Sequence, residues 1–402
     1  MISDRRSKTP PHPNTCHATF VYGRQKCLEL IEHTNPDAHV PSSAEFYWNR
    51  AYAASWEAVA TSLDAPAAKD GSPLKWNLAK PCLLIQHVLK ESPELQECYA
   101  EALRDDPCSA DRPWKVVIGF DEFVPGKFQH GEQPKKMMCL YFNFLNLGQH
   151  IIAQGSSWWV PVVVRHDFCK QVDGGWSCML AMFCRELFLS TEGLLTSGVP
   201  VIINNSYVLL HGDLYIMMSD GEGLQRGYCW KGASSLKPCI RHYNVLMKGS
   251  DLATRCANNV EITCDDPTKF KVATMVDYKR DMEALAEAFR IWKAGGMTKE
   301  LYESIEKAAG FTFHSRGLPW ALSPDELDVW TPIRKDWVHT ALQDGAMSKE
   351  LHLMVDATCS ASPSWGYPAV QGCRISLEIY VTSNWMPVGS TASSPAPASS
   401  QP

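Results

Sequence analysis

Two stretches of the sequence decide the predicted fold, and each is an apolar run that ends in acidic residues. The first reads Trp114-Lys115-Val116-Val117-Ile118-Gly119-Phe120-Asp121-Glu122-Phe123. The second reads Leu214-Tyr215-Ile216-Met217-Met218-Ser219-Asp220-Gly221-Glu222-Gly223. A carboxylate at the exit of a buried strand is costly to desolvate, so it commonly meets a cation, a metal or a substrate. Two such carboxylates on one sheet predict a divalent-metal site for phosphoryl transfer, with Asp121 and Asp220 as catalytic and metal-binding residues.

These acids also have a purely structural interpretation. Acidic residues are frequent in turns, where they face water, and Asp220 directly precedes a predicted helix that it could cap. Glu122 and Glu222 could assist the site or be solvated neighbours. The residue types alone leave both interpretations open.

The order of elements predicts an α/β protein with an RNase H-like mixed-sheet core. Strands are predicted at 114–120, 137–145 and 157–165, then a helix at 176–189, then strands at 199–203 and 208–218. In such a core the first acid lies on the first strand and the second at the exit of the fourth, where Asp121 and Asp220 stand.

The predicted core spans residues 111–223. It lies between a helical N-terminal region, 43–110, and a helical C-terminal region, 276–375. The ends, 1–42 and 376–402, are predicted to be disordered, and a Cys-rich, basic insertion is predicted over 224–275.

Bulk composition excludes some classes of protein. With 402 residues, 45% hydrophobic and 20% charged, the chain can build a substantial core. Its net charge of -6 gives no general attraction to nucleic acid, so DNA contact requires a local basic patch. No signal peptide is recognised, and the most apolar stretch, 158–164, is too short to span a bilayer. The 15 cysteines are irregularly spaced, which, without a signal peptide, predicts reduced thiols. These features predict an intracellular protein, nuclear or cytoplasmic, with no membrane partner.

The insertion holds candidate zinc ligands. Cys239 and His242 have the spacing of a ligand pair, and Cys229 with Cys256 or Cys264 could complete a four-ligand site for one structural Zn²⁺. The alternative is that these are scattered reduced cysteines without a metal. Both remain open at the level of sequence.

The same insertion has a local excess of positive charge. Between residues 224 and 255 stand six basic side chains and one acid, Asp251. A solvated charged face is the common explanation, but the position directly after Asp220 favours a nucleic-acid surface. The predicted DNA-binding residues are Arg226, Lys231, Lys237, Arg241 and Lys248.

A further acid follows near the end of the predicted helical region. In Asp336-Trp337-Val338-His339-Thr340, Asp336 is either a third metal ligand or a helix N-cap. Capping is the more frequent role for such a residue.

Taken in order, these strings resemble one family. Five strings are similar to those of transposon-derived proteins, the Plavaka-like, CACTA-type transposases. They are Gly119-Phe120-Asp121-Glu122-Phe123-Val124-Pro125-Gly126, Gly174-Gly175-Trp176-Ser177, Ser219-Asp220-Gly221-Glu222-Gly223, the string from Trp230 to Cys239, and Asp336-Trp337-Val338-His339-Thr340. The resemblance covers residues 110–355. It implies an RNase H-like core with an acidic triad that binds two Mg²⁺ (or Mn²⁺) ions, in which Asp121 and Asp220 match the first two positions and Asp336 is carried over as the third. It also implies DNA, as transposon ends, as the partner. Because the resemblance stops near residue 375, a truncated, decayed or domesticated copy is expected.

Two functions follow as hypotheses. The first is a DNA transposase-like phosphoryl transferase or endonuclease, a metal-dependent enzyme if it is active. The second is a non-catalytic, transposon-derived module that binds DNA or protein. The sequence leaves open whether the protein forms a homodimer.

Overall fold

The computed structural model describes residues 58–123, 136–152, 157–250 and 257–335. These residues all belong to one compact unit. The predictions for residues 1–42, for 376–402, and for Asp336 and Cys256 lie outside the described residues.

The described chain begins with a hairpin and two helices. Strands β1 (Ala60–Pro66) and β2 (Pro73–Ala79) pair antiparallel. Helices α1 (Pro81–Glu91) and α2 (Pro93–Asp105) follow, each with proline in its first turn. The Ser92 hydroxyl caps α2 by accepting a hydrogen bond from the Leu95 amide. Residues 60–79 thus differ from the helical region predicted over 43–110, because their side chains alternate between the buried and exposed faces of a hairpin.

A five-stranded mixed sheet forms the centre of the described chain. Its strands are β3 (Trp114–Phe123), β4 (Met137–Phe144), β5 (Trp159–Arg165), β8 (Gly212–Ser219) and β11 (Ile333–Lys335). They lie in the order β11-β8-β3-β4-β5. The pairs β11–β8 and β8–β3 are parallel, whereas β4 is antiparallel to both β3 and β5. The predicted α/β mixed sheet is therefore present, with its first acid on β3 and its second directly after β8.

One face of this sheet carries the core. Trp114, Phe120, Phe142 and Phe144 alternate onto that face and are fully buried. Helix α2 contributes Tyr99, whose ring lies 5.7 Å from that of Trp114. Helix α5 (Gly175–Cys184) covers the same face, with its Phe183 and Trp176 rings packed against Phe142 and Phe120. The apolar residues that predicted the strands are thus the residues that hold the helices to the sheet.

The chain reaches the fourth strand of this sheet through a separate hairpin. Short helices α3 (Gln149–Ile152) and α4 (His166–Cys169) flank β5, and a π-helical turn, Arg185–Leu189, continues α5. Strands β6 (Val199–Ile203) and β7 (Ser206–Leu210) then pair through Asn204 and Asn205, whose φ angles of 49° and 61° suit a tight two-residue turn. The single strand predicted over 208–218 is therefore divided at His211 between β7 and β8, which belong to different sheets.

Helices and short strands return the chain to the sheet. Helix α6 (Gly221–Tyr228) follows β8 directly. The predicted insertion then contains 3₁₀ turns and two-residue strands, β9 (Val245–Leu246) and β10 (Val260–Glu261), which are parallel. Helices α7 (Met275–Lys293), α8 (Lys299–Ala309) and α9 (Leu318–Ala321) precede β11. Thr298 caps α8, because its hydroxyl accepts a hydrogen bond from the Leu301 amide.

None of the helices in the described ranges combines the length and apolar character that a membrane crossing requires.

Candidate functional site

The predicted acids lie just beyond the point where the pairing of β3 and β8 ends. Strands β3 and β8 are paired up to Gly119 and Met218, and the Ser219 hydroxyl donates a hydrogen bond of 2.6 Å to the Phe120 carbonyl. The next residue on each strand is the acid, Asp121 or Asp220. Since paired residues of parallel strands point to the same face, both acids belong to the face that carries Gly119 and Met218, opposite the aromatic core. The two acids are therefore placed on adjacent strands by the pairing of β3 with β8.

Asp220 also caps the helix that follows it. Its Oδ1 accepts a hydrogen bond of 2.5 Å from the Gly223 amide, and Asp220 is the N-cap of α6. A side chain at Gly223 would overlap the Ser219 hydroxyl, so the glycine lets the helix begin against the strand end. The capping interpretation thus holds for Oδ1. Within the described ranges, Oδ2 has no hydrogen-bond donor, which leaves one oxygen for another ligand.

Asp121 lies in a confined part of the sheet. It pairs with Cys139 on β4, and its Oδ1 accepts a hydrogen bond of 2.7 Å from the Glu122 amide. Burial, together with the negative charge of Asp121, raises the pKa of the Cys139 thiol to about 12. Two residues before Asp121, the Tyr141 ring lies over Gly119 so closely that any side chain there would overlap it. The site is therefore bordered by an aromatic ring and a protonated thiol.

Glu122 lies on the opposite face of β3 from Asp121, where basic side chains bind it. It forms ion pairs with Arg226 and Lys136, and the Nδ1 atom of His166 lies 3.6 Å from its Oε2. Burial raises the pKa of Glu122, but the hydrogen bonds and charges of Lys136 and Arg226 outweigh burial, so its pKa lies below the ordinary value. Glu122 is thus a structural partner of Arg226. Its side chain follows those of Ile118 and Phe120 on the opposite face from Asp121.

The third predicted acid follows the last described residue. On β11, Lys335 pairs with Ser219, and Asp336 is the next residue in the sequence. In the described part of the chain, His, Cys, Asp and Glu side chains form no group of three or more that could hold a metal. Asp121 and Asp220 therefore have no third ligating partner among residues 58–335 as described.

The predicted zinc ligands take up separate environments. Cys239 Sγ lies 3.1 Å from His242 Nδ1, so this pair does meet. Cys229 ends α6 in the left-handed conformation, and its thiol lies by Gly317 and Ser177. Burial raises the pKa of Cys229, which opposes the thiolate that zinc needs. The Cys264 thiol contacts the Asp266 carbonyl at 3.8 Å. The four-ligand site remains a prediction that rests on Cys239 and His242 alone.

The five predicted DNA-binding residues divide into two groups. Arg226 pairs with Glu122 and Glu222, Lys231 lies 3.1 Å from Glu306, and Lys237 lies 2.6 Å from Asp281. Arg241 and Lys248 have no carboxylate partner in the described ranges. Three of the six basic side chains counted along residues 224–255 are thus paired with acids from other elements. This argues against Arg226, Lys231 and Lys237 as phosphate contacts.

Two features of the site carried no signal in the sequence. Tyr141 covers Gly119 because of the β3–β4 register, which the residue pattern does not specify. Arg334 lies on the same face as the acids, since it pairs with Met218. Its strand has three residues, too few for an alternating pattern to show.

Comparison with protein-family models finds no match, and comparison with curated proteins finds none either.

Proposed function

We propose that the chain is a DNA transposase-like phosphoryl transferase or endonuclease with an RNase H-like core, related to the Plavaka-like, CACTA-type transposases. One observation carries the proposal. The sheet has the order β11-β8-β3-β4-β5 with β4 alone antiparallel. One acid, Asp121, stands on β3 just beyond its last pair with β8, and the other, Asp220, directly follows β8. This arrangement supports an RNase H-like assignment, in which the first and fourth strands of the core supply the first two acids.

The ligand chemistry of the site suits magnesium or manganese. Carboxylate oxygens are the ligands these ions prefer, and the cap leaves Oδ2 of Asp220 without a donor in the described ranges. The basic side chains Lys136 and Arg226 are paired with Glu122. In this proposal Asp121 and Asp220 hold the metal, Asp336 is the third acid, and a bound metal would activate water and stabilise charge on the phosphate.

The residues of the chain would have defined parts in this reaction. The cap fixes the carboxylate of Asp220 because its Oδ1 is bound to the first turn of α6. The Ser219 hydroxyl ties β8 to β3 at the level of the acids. Positioning of this kind supports catalysis because the two carboxylates need not be ordered when substrate binds.

A nicking assay tests the proposal. The purified protein is incubated with supercoiled and terminal-repeat DNA in Mg²⁺ or Mn²⁺, and Asp121→Asn and Asp220→Asn are compared with Asp213→Asn, a matched change on the exposed part of β8. Asparagine at 220 retains a capping oxygen, so folding is preserved. We expect nicking that is lost in the first two variants and kept in the third. Nicking that survives both substitutions would falsify the assignment.

A second function is favoured by a specific observation. No third ligand joins Asp121 and Asp220 among the described residues. A non-catalytic module that binds DNA is therefore the alternative proposal. It predicts salt-dependent DNA binding without nicking in either metal, and equal binding by wild type and Asp121→Asn.

A further inference from the structure

Two arginines, Arg241 and Arg334, stand on segments that a single buried tyrosine joins. The Tyr278 hydroxyl donates a hydrogen bond of 2.7 Å to the Ile240 carbonyl, and the Tyr278 ring stacks on Trp330 at 4.3 Å. Trp330 leads into β11, which carries Arg334, and Ile240 directly precedes Arg241. The buried tyrosine thus joins the two segments that carry the arginines.

Neither arginine is neutralised in the described part of the chain. The Arg334 guanidinium donates hydrogen bonds to the backbone carbonyls of Thr331 and Ile333, at 2.9 and 2.8 Å. Burial lowers the pKa of Arg334, and the positive charge of Arg241 lowers it further. Of the nearby acids, Asp328 accepts from the amides of Trp330 and Thr331, which keeps its Oδ1 occupied by backbone donors. Two partly buried like charges without a counterion favour binding of an anion.

The position of the pair relates it to the acids. Arg334 pairs with Met218, which lies two residues before Asp220 on the same face. Two residues of strand correspond to about 7 Å, the order of one phosphate spacing along a nucleic-acid strand. On the other side, the exposed Tyr215 ring lies under the Lys115 ammonium, 4.6 Å from its centroid. The face therefore carries positive charge and an aromatic ring along the strands that lead to the carboxylates.

We infer that Arg241 and Arg334 form a phosphate clamp, which takes a backbone phosphate of DNA next to the one at the acidic site. The DNA part of this inference rests on the proposed function. Guanidinium groups bind phosphate oxygens in a bidentate manner, and arginine is weakly hydrated, so a paired site of this kind suits a phosphodiester. Tyr215 lies where a base or sugar could pack against a ring.

The test measures anion binding and DNA binding separately. Thermal unfolding is followed with and without pyrophosphate, and DNA binding is followed by fluorescence anisotropy at several salt concentrations. The variants are Arg241→Gln, and Arg241→Gln with Arg334→Gln; the control is Lys69→Gln with Lys90→Gln, which removes equal charge from exposed positions. Arg241→Gln alone keeps the backbone contacts of β11, so it separates binding from any loss of folding.

We expect pyrophosphate to raise the melting temperature of wild type and control but not of the double variant. We also expect DNA affinity to fall about tenfold in the double variant, and the salt slope to fall by about two. Equal stabilisation of all proteins by pyrophosphate overturns the clamp. DNA affinity within twofold of wild type also overturns it, while nicking of DNA would leave the proposed function standing. If the wild-type protein shows no nicking while the pyrophosphate and DNA-binding results are as expected, the proposed function is contradicted and the clamp is not.

Discussion

The central sheet and the insertion between α6 and α7 hold their polar side chains by different means. In the sheet, Asp121 and Asp220 are neighbours because two parallel strands are in register. In the insertion, Lys231 and Lys237 are held by Glu306 and Asp281, which come from α8 and α7. The first arrangement follows from the pairing of two strands, and the second from contacts between individual side chains. This difference teaches that a sequence motif predicts a site well where strand pairing positions its residues. It predicts a site less well where contacts with individual side chains from other elements decide the position.

The largest expected effect concerns the core of the sheet. Phe120 is fully buried, packs against Trp176 and contacts α6 at Gly227. We expect Phe120→Ala to lower the free energy of unfolding by about 3–5 kcal/mol, through lost burial and a cavity. Urea denaturation measures this, with Val276→Ala, at a position 76% exposed, as the control. A similar small loss in both variants would mean that the sheet does not depend on this aromatic face.

The second effect tests whether the insertion depends on its ion pairs. Lys231 is 22% exposed and pairs with Glu306, a carboxylate that is 7% exposed and also accepts from the Tyr302 hydroxyl. We expect Lys231→Met to cost about 1–3 kcal/mol in the free energy of unfolding, because a buried charge loses its partner. The matched change Lys248→Met, at an exposed position, should stay within about 0.5 kcal/mol. Equal effects in the two variants would remove the distinction between neutralised and free lysines.

Much of the sheet could be predicted from the sequence. The apolar runs at 114–120, 137–145 and 157–165 are long enough for strand character to show, and Asp220 marks the exit of β8. Asp121 does not mark the exit of β3, because that strand continues to Phe123 through its pairing with β4. The division at His211 and the short β11 could not be predicted, because a continuous apolar run hides a change of sheet and three residues carry no period.

The environment of the insertion was less accessible to prediction. Its positive balance was counted along residues 224–255, and a linear count omits acids such as Glu122, Glu306 and Asp281, which fold onto these lysines and arginines. Cys229 illustrates the same problem for metals, because the end of α6 carries its thiol to Ser177 and Gly317.

The third effect separates the two roles of Asp220. Alanine removes both the cap and the carboxylate, whereas asparagine keeps an oxygen for the Gly223 amide. We expect Asp220→Ala to cost about 1 kcal/mol in the free energy of unfolding and Asp220→Asn only a few tenths. Chemical denaturation of both variants provides the measurement. If the two variants lose equal stability, capping is not the structural role of this residue.

The smallest effect is the pH dependence of Glu122. Its pKa is depressed below the ordinary value of 4.5, so its ion pairs stabilise the folded state fully above about pH 4.5. This contribution is lost as pH falls through the lower folded-state pKa, because the unfolded state binds the proton more readily. For a partly exposed network the contribution is under about 1 kcal/mol. Glu122→Gln should therefore be less stable than wild type at pH 7, with a difference that shrinks as pH falls below 4.5.

The matched control for this pH series is Glu97→Gln, at an exposed position of α2. Free energies of unfolding are measured in urea at pH 7, 5, 4 and 3 for all three proteins. A constant difference between wild type and Glu122→Gln across the series would show that Glu122 contributes by packing and not by charge. Arg226 would then be free to leave Glu122, and the argument against it as a phosphate contact would fail. A difference that disappears in acid supports a structural role for Arg226 and leaves Arg241 and Arg334 as the proposed phosphate contacts.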